Sequence, residues 1–225
     1  MDIFKKYQKE LKMLCKLCSS ATNLWQHSSF EQQYAYCQQC ELIAQKESYN
    51  VSLEREKQQY DQHNNSFENE GYVAMFETFL DFFWNEFTCK DISCLDFGSG
   101  PVAVLSSLMQ KRGAHVDYYD KFYQPKRVFE EKCYDLITST EVFEHLDNPL
   151  ETLNLLTQHL KPKGYIALMT LFHDNSMENF WKWWYRRDPT HITFYTLKTM
   201  AILGNTCGLN VVKTDAKRVV LLQKR

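Results

Sequence analysis

The sequence has no long hydrophobic run, and no stretch of it approaches the roughly 18 consecutive apolar residues of a membrane-crossing helix. Its first ten residues, Met1 to Glu10, lack the apolar region of a secretory signal. An excess of either charge is missing too. Lys and Arg number 26 against 28 Asp and Glu, a net charge of −2, which supplies no general drive toward nucleic acid or an anionic membrane. These absences point to a soluble, cytoplasmic protein. What is present is a chain of 225 residues, 44% apolar and 15% aromatic, enough for one α/β domain and a small accessory module. Its eight cysteines, in a reducing compartment, are expected as thiols or metal ligands and not as disulfides.

Four of those cysteines fall into two pairs, Cys15-x-x-Cys18 and Cys37-x-x-Cys40. Paired thiolates on two knuckles give the tetrahedral set that zinc favours, and the spacing matches a zinc ribbon. A four-thiolate site has no open coordination position, so its role is structural, closing a module too small to fold alone. The other reading, four unpaired structural thiols, does not explain the pairing. A redox pair would need a thioredoxin-like unit after one of the motifs, and none follows. Cys89, Cys94, Cys133 and Cys207 are scattered and read as core or surface thiols. The zinc-ribbon-like module is assigned to residues 1–50. Residues 51–90 follow as a helical bridge, with Val73, Phe76, Phe79, Leu80, Phe83 and Phe87 on one face of a helix.

The most informative stretch is Ser93-Cys-Leu-Asp-Phe-Gly-Ser-Gly-Pro101. A short apolar strand ends near Asp96, Gly98 and Gly100 open a tight turn, and a helical pattern runs from Val102 to Arg112. Glycines let the backbone turn sharply and approach a ligand, and a helix N-terminus offers N–H groups. Gly98-x-Gly100-x-x-Ala103 satisfies a loose dinucleotide fingerprint, with Asp120 about 20 residues on. Two details favour an adenosine cofactor with a cationic amino-acid end over NAD. Asp96 places a carboxylate near the strand tip, and Pro101 removes one N–H from any phosphate cradle. Further runs read as strands over 115–119, 134–139, 165–170, 209–214 and 219–224. Helices are expected over 149–160 and 196–204, and a turn at Lys161–Gly164.

This ordered set resembles the class I S-adenosylmethionine-dependent methyltransferases over roughly residues 93–225. The resemblance implies a Rossmann-like, seven-stranded, mostly parallel sheet in a domain of residues 91–225. It also implies a cofactor site at Asp96, Gly98, Ser99, Gly100, Asp120, Lys121 and Thr140, with Asp96 and the loop at the amino-acid end and Asp120 on the ribose. The bridge helix would pack over the cofactor cleft, making Tyr60, His63 and Tyr72 candidate lining residues. Two departures stand out: Val102 replaces the usual third glycine, and Lys121–Lys132 is too short for a full strand–helix–strand unit.

Glu141, Glu144 and His145 follow the third strand of this domain, at the carboxyl edge where open α/β sheets bind ligands. In a helix they would share one face and form a candidate Mg²⁺ or Mn²⁺ site with a later histidine, His191 or alternatively His173. The pattern resembles that of metal-dependent O-methyltransferases, including those of small-RNA 3′ ends and of the ubiquinone pathway. The same residues would otherwise form a metal-free polar wall, or a helix pinned to the sheet. His191 is also a candidate general base. Between Phe172 and Asp188 a run of aromatics lies beside Arg186 and Arg187 and reads as a substrate lid, as packing, or as an RNA contact. The reading is methyl transfer to oxygen or nitrogen of a small molecule, with His191, Glu141 and His145 facing the acceptor. An RNA methyltransferase docking through the zinc ribbon is the enzyme alternative, and a cofactor-binding regulator the non-enzyme one.

Overall fold

A computed structural model describes residues 13–62, 64–87 and 91–225, so His63 and Cys89 lie outside the described residues. The chain opens with three short antiparallel strands, β1 (Asn23–Trp25), β2 (Tyr34–Tyr36) and β3 (Ile43–Gln45). Helix α1 (Leu53–Tyr60) starts at Ser52, whose side chain accepts from the Arg55 amide. Helix α2 (Glu70–Phe83) starts at Asn69 in the same way and buries Phe76, Phe79, Leu80 and Phe83, the face expected from the sequence.

The second sheet is built from β4 (Ser93–Phe97), β5 (His115–Tyr119), β6 (Tyr134–Thr140), β7 (Leu160–Met169), β9 (Leu209–Thr214) and β10 (Val219–Lys224). Its order is β5-β4-β6-β7-β10-β9, with β5, β4, β6 and β7 parallel and the terminal hairpin antiparallel. Helices α3 (Val104–Lys111), α4 (Pro149–Gln158), α5 (Met177–Lys182) and α6 (Leu197–Thr206) complete the chain. One face of the sheet packs on α2 and α3 through Phe79, Leu105 and Leu136. The other packs on α4 and α6 through Leu153, Leu203 and Leu222. This is the mostly parallel, helix-flanked architecture expected from the sequence.

Three details depart from it. The sheet has six strands among the described residues, not seven. The chain between β5 and β6 is too short for another crossover and instead folds back through an Asp120–Gln124 bridge. Residues 161–164 are not a turn but part of β7, whose pairing with β6 shifts register there. Helix α3 begins at Val104, after Ala103 takes the left-handed conformation (φ 49). Pro101 therefore lies before the helix and not in its first turn.

The three N-terminal strands do not stand alone. β8 (Thr193–Phe194) pairs antiparallel with β3, so the fourth strand of the small sheet comes from a segment far along the chain. The aromatic run before it packs mostly into this seam. Phe180, Trp181 and Tyr185 are buried with Trp25, Tyr34, Ile43 and Phe194. Arg186 is buried as well, its guanidinium stacked over Phe30 and Trp181. The lid expectation is thus corrected for most of the segment, because an aromatic face left open by a three-stranded sheet is covered by these rings.

Candidate functional site

The site forms at the carboxyl ends of β4, β5 and β6, where the strand order reverses around β4. A cavity of about 650 Å³ lies there, large enough for a nucleoside cofactor with a small acceptor beside it. Its floor includes Gly98, Gly100, Asp120, Thr140 and Glu141, and its roof includes Tyr60 of α1 and Tyr72 of α2.

Gly98 has φ +89, and a Cβ there would meet Val142 Cγ2 at 2.2 Å, so only glycine fits. Gly100 has φ +67 with nothing within 4 Å of an added Cβ, which leaves that stretch of backbone open to the cavity. The loop amides are committed internally. Gly98 and Ser99 N–H donate to the Tyr119 carbonyl, and Gly100 N–H donates to Asp120 Oδ2 at 3.0 Å. A pyrophosphate would need those donors, which is the physical reason NAD does not suit this loop. Asp120 Oδ1 accepts from the amides of Phe122 and Tyr123. The carboxylate is thereby held rigid at the cavity edge by three backbone bonds.

Asp96 sits apart from the cavity. It is 1% exposed, and its carboxylate accepts from Ser106 Oγ (2.8 Å) and Thr138 Oγ1 (3.2 Å), joining β4 to α3 and β6. Burial raises its pKa to about 6. Ser99 is also buried and does not line the cavity. Lys121 lines the rim and donates to Glu56 Oε1 at 2.6 Å, while Tyr123 donates to Asp61, so α1 is tied down over the opening.

On the acceptor side, Glu141, Glu144 and His145 do not share a helix. Glu141 has a left-handed backbone (φ 51), and only Phe143–His145 makes a single 3₁₀ turn. The α-helix expectation fails because the residues after β6 must turn back beneath the seam, and Glu141 absorbs that turn. The side chains converge nonetheless. Glu144, His145 and His191 have ligand atoms all within 4.8 Å of one another. Tyr185 Oη donates to Glu144 Oε1 at 2.6 Å and lies 3.2 Å from Glu141 Oε2. Burial raises the pKa of both carboxyls, Glu144 well above its ordinary range.

The histidines are oriented in the same way as each other. His145 Nδ1 lies 2.9 Å from the Thr190 carbonyl, and His191 Nδ1 lies 2.7 Å from the Tyr185 carbonyl. A carbonyl only accepts, so each Nδ1 carries a proton and each Nε2 lies on the side of the ring away from that bond. Burial and the neighbouring His191 push the His145 pKa down to about 3, so that ring is neutral. Glu144 Oε2 is buried without a hydrogen-bond partner among the described residues. The two imidazoles and the buried Glu144 carboxyl, ligand atoms within 4.8 Å of one another, form a donor set that a divalent cation fits. His173 is elsewhere, its Nε2 on the Glu41 carbonyl at 3.0 Å.

The four cysteines converge too. Cys15 Sγ lies 3.4 Å from Cys40 Sγ, Cys18 Sγ 3.4 Å from Cys37 Sγ, and all four sulfurs lie within 4.8 Å of one another. Sulfurs about 2.3 Å from one zinc ion sit roughly 3.8 Å apart, so the set fits tetrahedral zinc.

Residues 62–214 match the family described as Methyltransferase domain. The chain belongs to that family. Among curated proteins, this methyltransferase-domain chain is 28% identical over 81 residues to the ubiquinone biosynthesis O-methyltransferase of Photobacterium profundum, a stretch covering 36% of this chain and 34% of that enzyme. The chain thus matches about a third of the length of such relatives. Among solved structures, it resembles the magnesium protoporphyrin IX methyltransferase of Synechocystis PCC 6803 with bound SAH, with a TM-score of 0.54 and 12% identity over 76% of this chain and 94% of that one. It also resembles an O-methyltransferase family protein from Burkholderia thailandensis, with a TM-score of 0.54 and 13% identity over 76% and 62% of the two chains. These likenesses concern the fold of the methyltransferase domain.

Several cavity residues escape sequence reasoning. Gln59, Phe122, Val142 and Asp188 line the cavity without belonging to a motif. The Thr190 carbonyl that orients His145 has no sequence signal at all, since every residue carries one. Tyr185 and Trp184 had a partial signal in the aromatic run, and both line the cavity.

Proposed function

We propose that this chain is an S-adenosylmethionine-dependent methyltransferase that methylates an oxygen of a small-molecule acceptor, with a divalent cation held by Glu144, His145 and His191. The observation that carries the reading is the single cavity joining the Gly98–Gly100–Asp120 edge to that cluster. Asp120, already fixed by three amides, has one lone pair left, on Oδ2, to accept a ribose hydroxyl. Gly100, bare of side chain, lets the adenosyl moiety lie against the loop, and Tyr60 and Tyr72 cover it from above. Asp96 would act on the cofactor's cationic end only through its field, because Ser106 and Thr138 occupy its oxygens.

The sulfonium is already an activated electrophile, so the protein's task is to align acceptor and methyl and to help remove a proton. A cation bound at the cluster would lower the pKa of an acceptor hydroxyl. His145 and His191 hold their Nε2 atoms in place through backbone carbonyls, and Tyr185 fixes Glu144. Two imidazoles with a carboxylate suit Mn²⁺ better than Mg²⁺. Trp184, 66% exposed at the rim, and Arg187 nearby suit a planar acceptor with an acidic substituent. The four cysteines would hold structural zinc.

Calorimetric titration with S-adenosylhomocysteine tests the reading. Binding by the wild type should weaken about 10- to 100-fold in Asp120→Ala, the loss of a charge-assisted bond to a ribose hydroxyl. No binding by the wild type would remove the methyltransferase assignment. Methyl release from hydroxylated aromatic acids, and none from an RNA pool, supports the small-molecule acceptor. Binding without turnover on either pool would mark a regulator.

A further inference from the structure

The reading above leaves the four-cysteine module with nothing to do beyond folding. Its contacts, however, run toward one half of the cavity. Ile192 follows His191 directly. Its carbonyl accepts from Gln45 N–H of β3 at 2.7 Å, and its N–H donates to the Glu144 carbonyl at 2.8 Å. The backbone of this one residue thus joins the cysteine module to the backbone of two proposed cation ligands. The β3–β8 pairing, Ile43 with Phe194 and Ala44 with Thr193, continues the same connection. Thr193 Oγ1 then donates to the Leu146 carbonyl at 2.7 Å, beside His145.

The second knuckle is gripped from the other side. Thr199 Oγ1 donates to the Cys40 carbonyl at 2.8 Å, and Thr196 Oγ1 donates to Glu41 Oε2 at 2.9 Å. Lys16, between the first two cysteines, pairs with Asp147, two residues after His145. No hydrogen bond among the described residues joins residues 13–50 to Gly98, Gly100 or Asp120. The module therefore braces the acceptor side and leaves the cofactor side to β4 and β5.

We propose that the four-cysteine module is the positioning frame of the Glu144–His145–His191 cluster, so that a filled cysteine site holds the second cation site in register through the Ile192 backbone. This rests on the reading of that cluster as a cation site. The cysteines and Thr199 are positioning residues, since none of them lines the cavity.

The experiment uses the full chain and two variants, Cys40→Ser and Thr199→Val. Zinc content is read by elemental analysis, Mn²⁺ affinity by electron paramagnetic resonance of the free ion, and S-adenosylhomocysteine affinity by calorimetry. Hydrogen exchange is followed over residues 190–195 and 93–97. In Cys40→Ser, zinc should be lost, Mn²⁺ should bind about tenfold or more weakly, and S-adenosylhomocysteine affinity should change little. Exchange should quicken over 190–195 and not over 93–97. Thr199→Val should keep its zinc and weaken Mn²⁺ by about threefold, with cofactor-product affinity unchanged. Zinc loss with Mn²⁺ affinity and the 190–195 protection intact would overturn the proposal. If Cys40→Ser unfolds throughout, Thr199→Val decides, and an unchanged Mn²⁺ affinity there overturns it. A wild type that binds no Mn²⁺ sinks the cation reading above. The exchange pattern of Cys40→Ser then decides the positioning claim alone, upheld by selective loss over 190–195 and overturned by its absence.

Discussion

The molecule carries two clusters of metal-type ligands, and they differ in almost every physical respect. The cysteine cluster consists of four like donors on two short knuckles, with three of the four thiols buried and no side chain of another type among them. The Glu144–His145–His191 cluster mixes oxygen and nitrogen donors from two distant segments, and both histidines border a cavity. A closed set of four thiolates leaves no open position for a ligand. A partial set beside a cavity leaves room for a ligand and bears the cost of a buried, unsatisfied oxygen to do so. On the proposed reading, stability and framing therefore fall to one cluster and methyl transfer to the other.

That contrast is easiest to break at the cysteines. Replacing Cys37 or Cys40 with serine should lower stability by several kcal/mol, and Tm by roughly 10 °C or more, since zinc affinity is linked to folding of the small sheet. Cys133→Ser, at an exposed thiol outside the cluster, should leave the thermal unfolding curve where it is. Equal effects of the two substitutions would end the idea of a zinc-held module.

Glu144→Gln should act in the opposite direction. Methyl transfer should fall about 100-fold or more, while Tm holds, because burial already favours the protonated Glu144 carboxyl and the amide keeps its shape. A large drop in Tm would show that Glu144 serves the fold instead.

Asp96 gives the control for a buried carboxylate with both oxygens occupied. Its folded pKa, about 6, lies above its ordinary value of 3.8. The folded state therefore holds the proton more tightly than the unfolded state. That contribution is complete below pH 3.8 and is lost as pH rises through 6, about 3 kcal/mol over the window. Asp96→Asn should gain stability relative to the wild type between pH 4 and about 6.5, as chemical denaturation would measure. A difference that is flat with pH would show that Asp96 is not held neutral by burial.

The smallest expected effect separates two left-handed residues. Ala103 (φ 49) precedes α3 and makes no cap bond, so Ala103→Gly should raise stability by about 0.5–1 kcal/mol with cofactor affinity intact. Glu141 (φ 51) has the same backbone, but its glycine variant should gain similar stability and lose activity. If both variants kept full activity, the Glu141 carboxylate would have no part in the site.

Much of this was legible in the sequence, and the residues show why. Cys15, Cys18, Cys37 and Cys40 announce themselves because both pairs have the spacing of a knuckle, so local chain geometry nearly completes the site. Gly98 and Gly100 are legible because a tight turn at a strand end demands them. The hairpin strands 209–214 and 219–224 match their expected bounds, since alternation and the intervening turn are local signals. Glu141, Glu144 and His145 were legible as a group but not as a shape, because a helical spacing was read where a strained turn stands. Asp96 looked like a ligand residue from its position at a strand tip, yet its side chain points into the layer between β4, α3 and β6. The aromatic run fits a lid, packing or an RNA contact by its sequence, and most of it is a core that only the neighbouring sheet explains.

By itself, the sequence determined what depends on near neighbours: the strands and helices, the two cysteine knuckles, the glycine turn and the family to which the chain belongs. Those features follow from backbone sterics, side-chain periodicity and the short reach of one turn. The tertiary structure alone decided that the sheet has six strands among the described residues and that β8 joins the cysteine module. It also decided that two backbone carbonyls orient the rings of His145 and His191. These are contacts between segments far apart in the chain, made by groups that every residue carries, and they exist only once packing has brought the segments together.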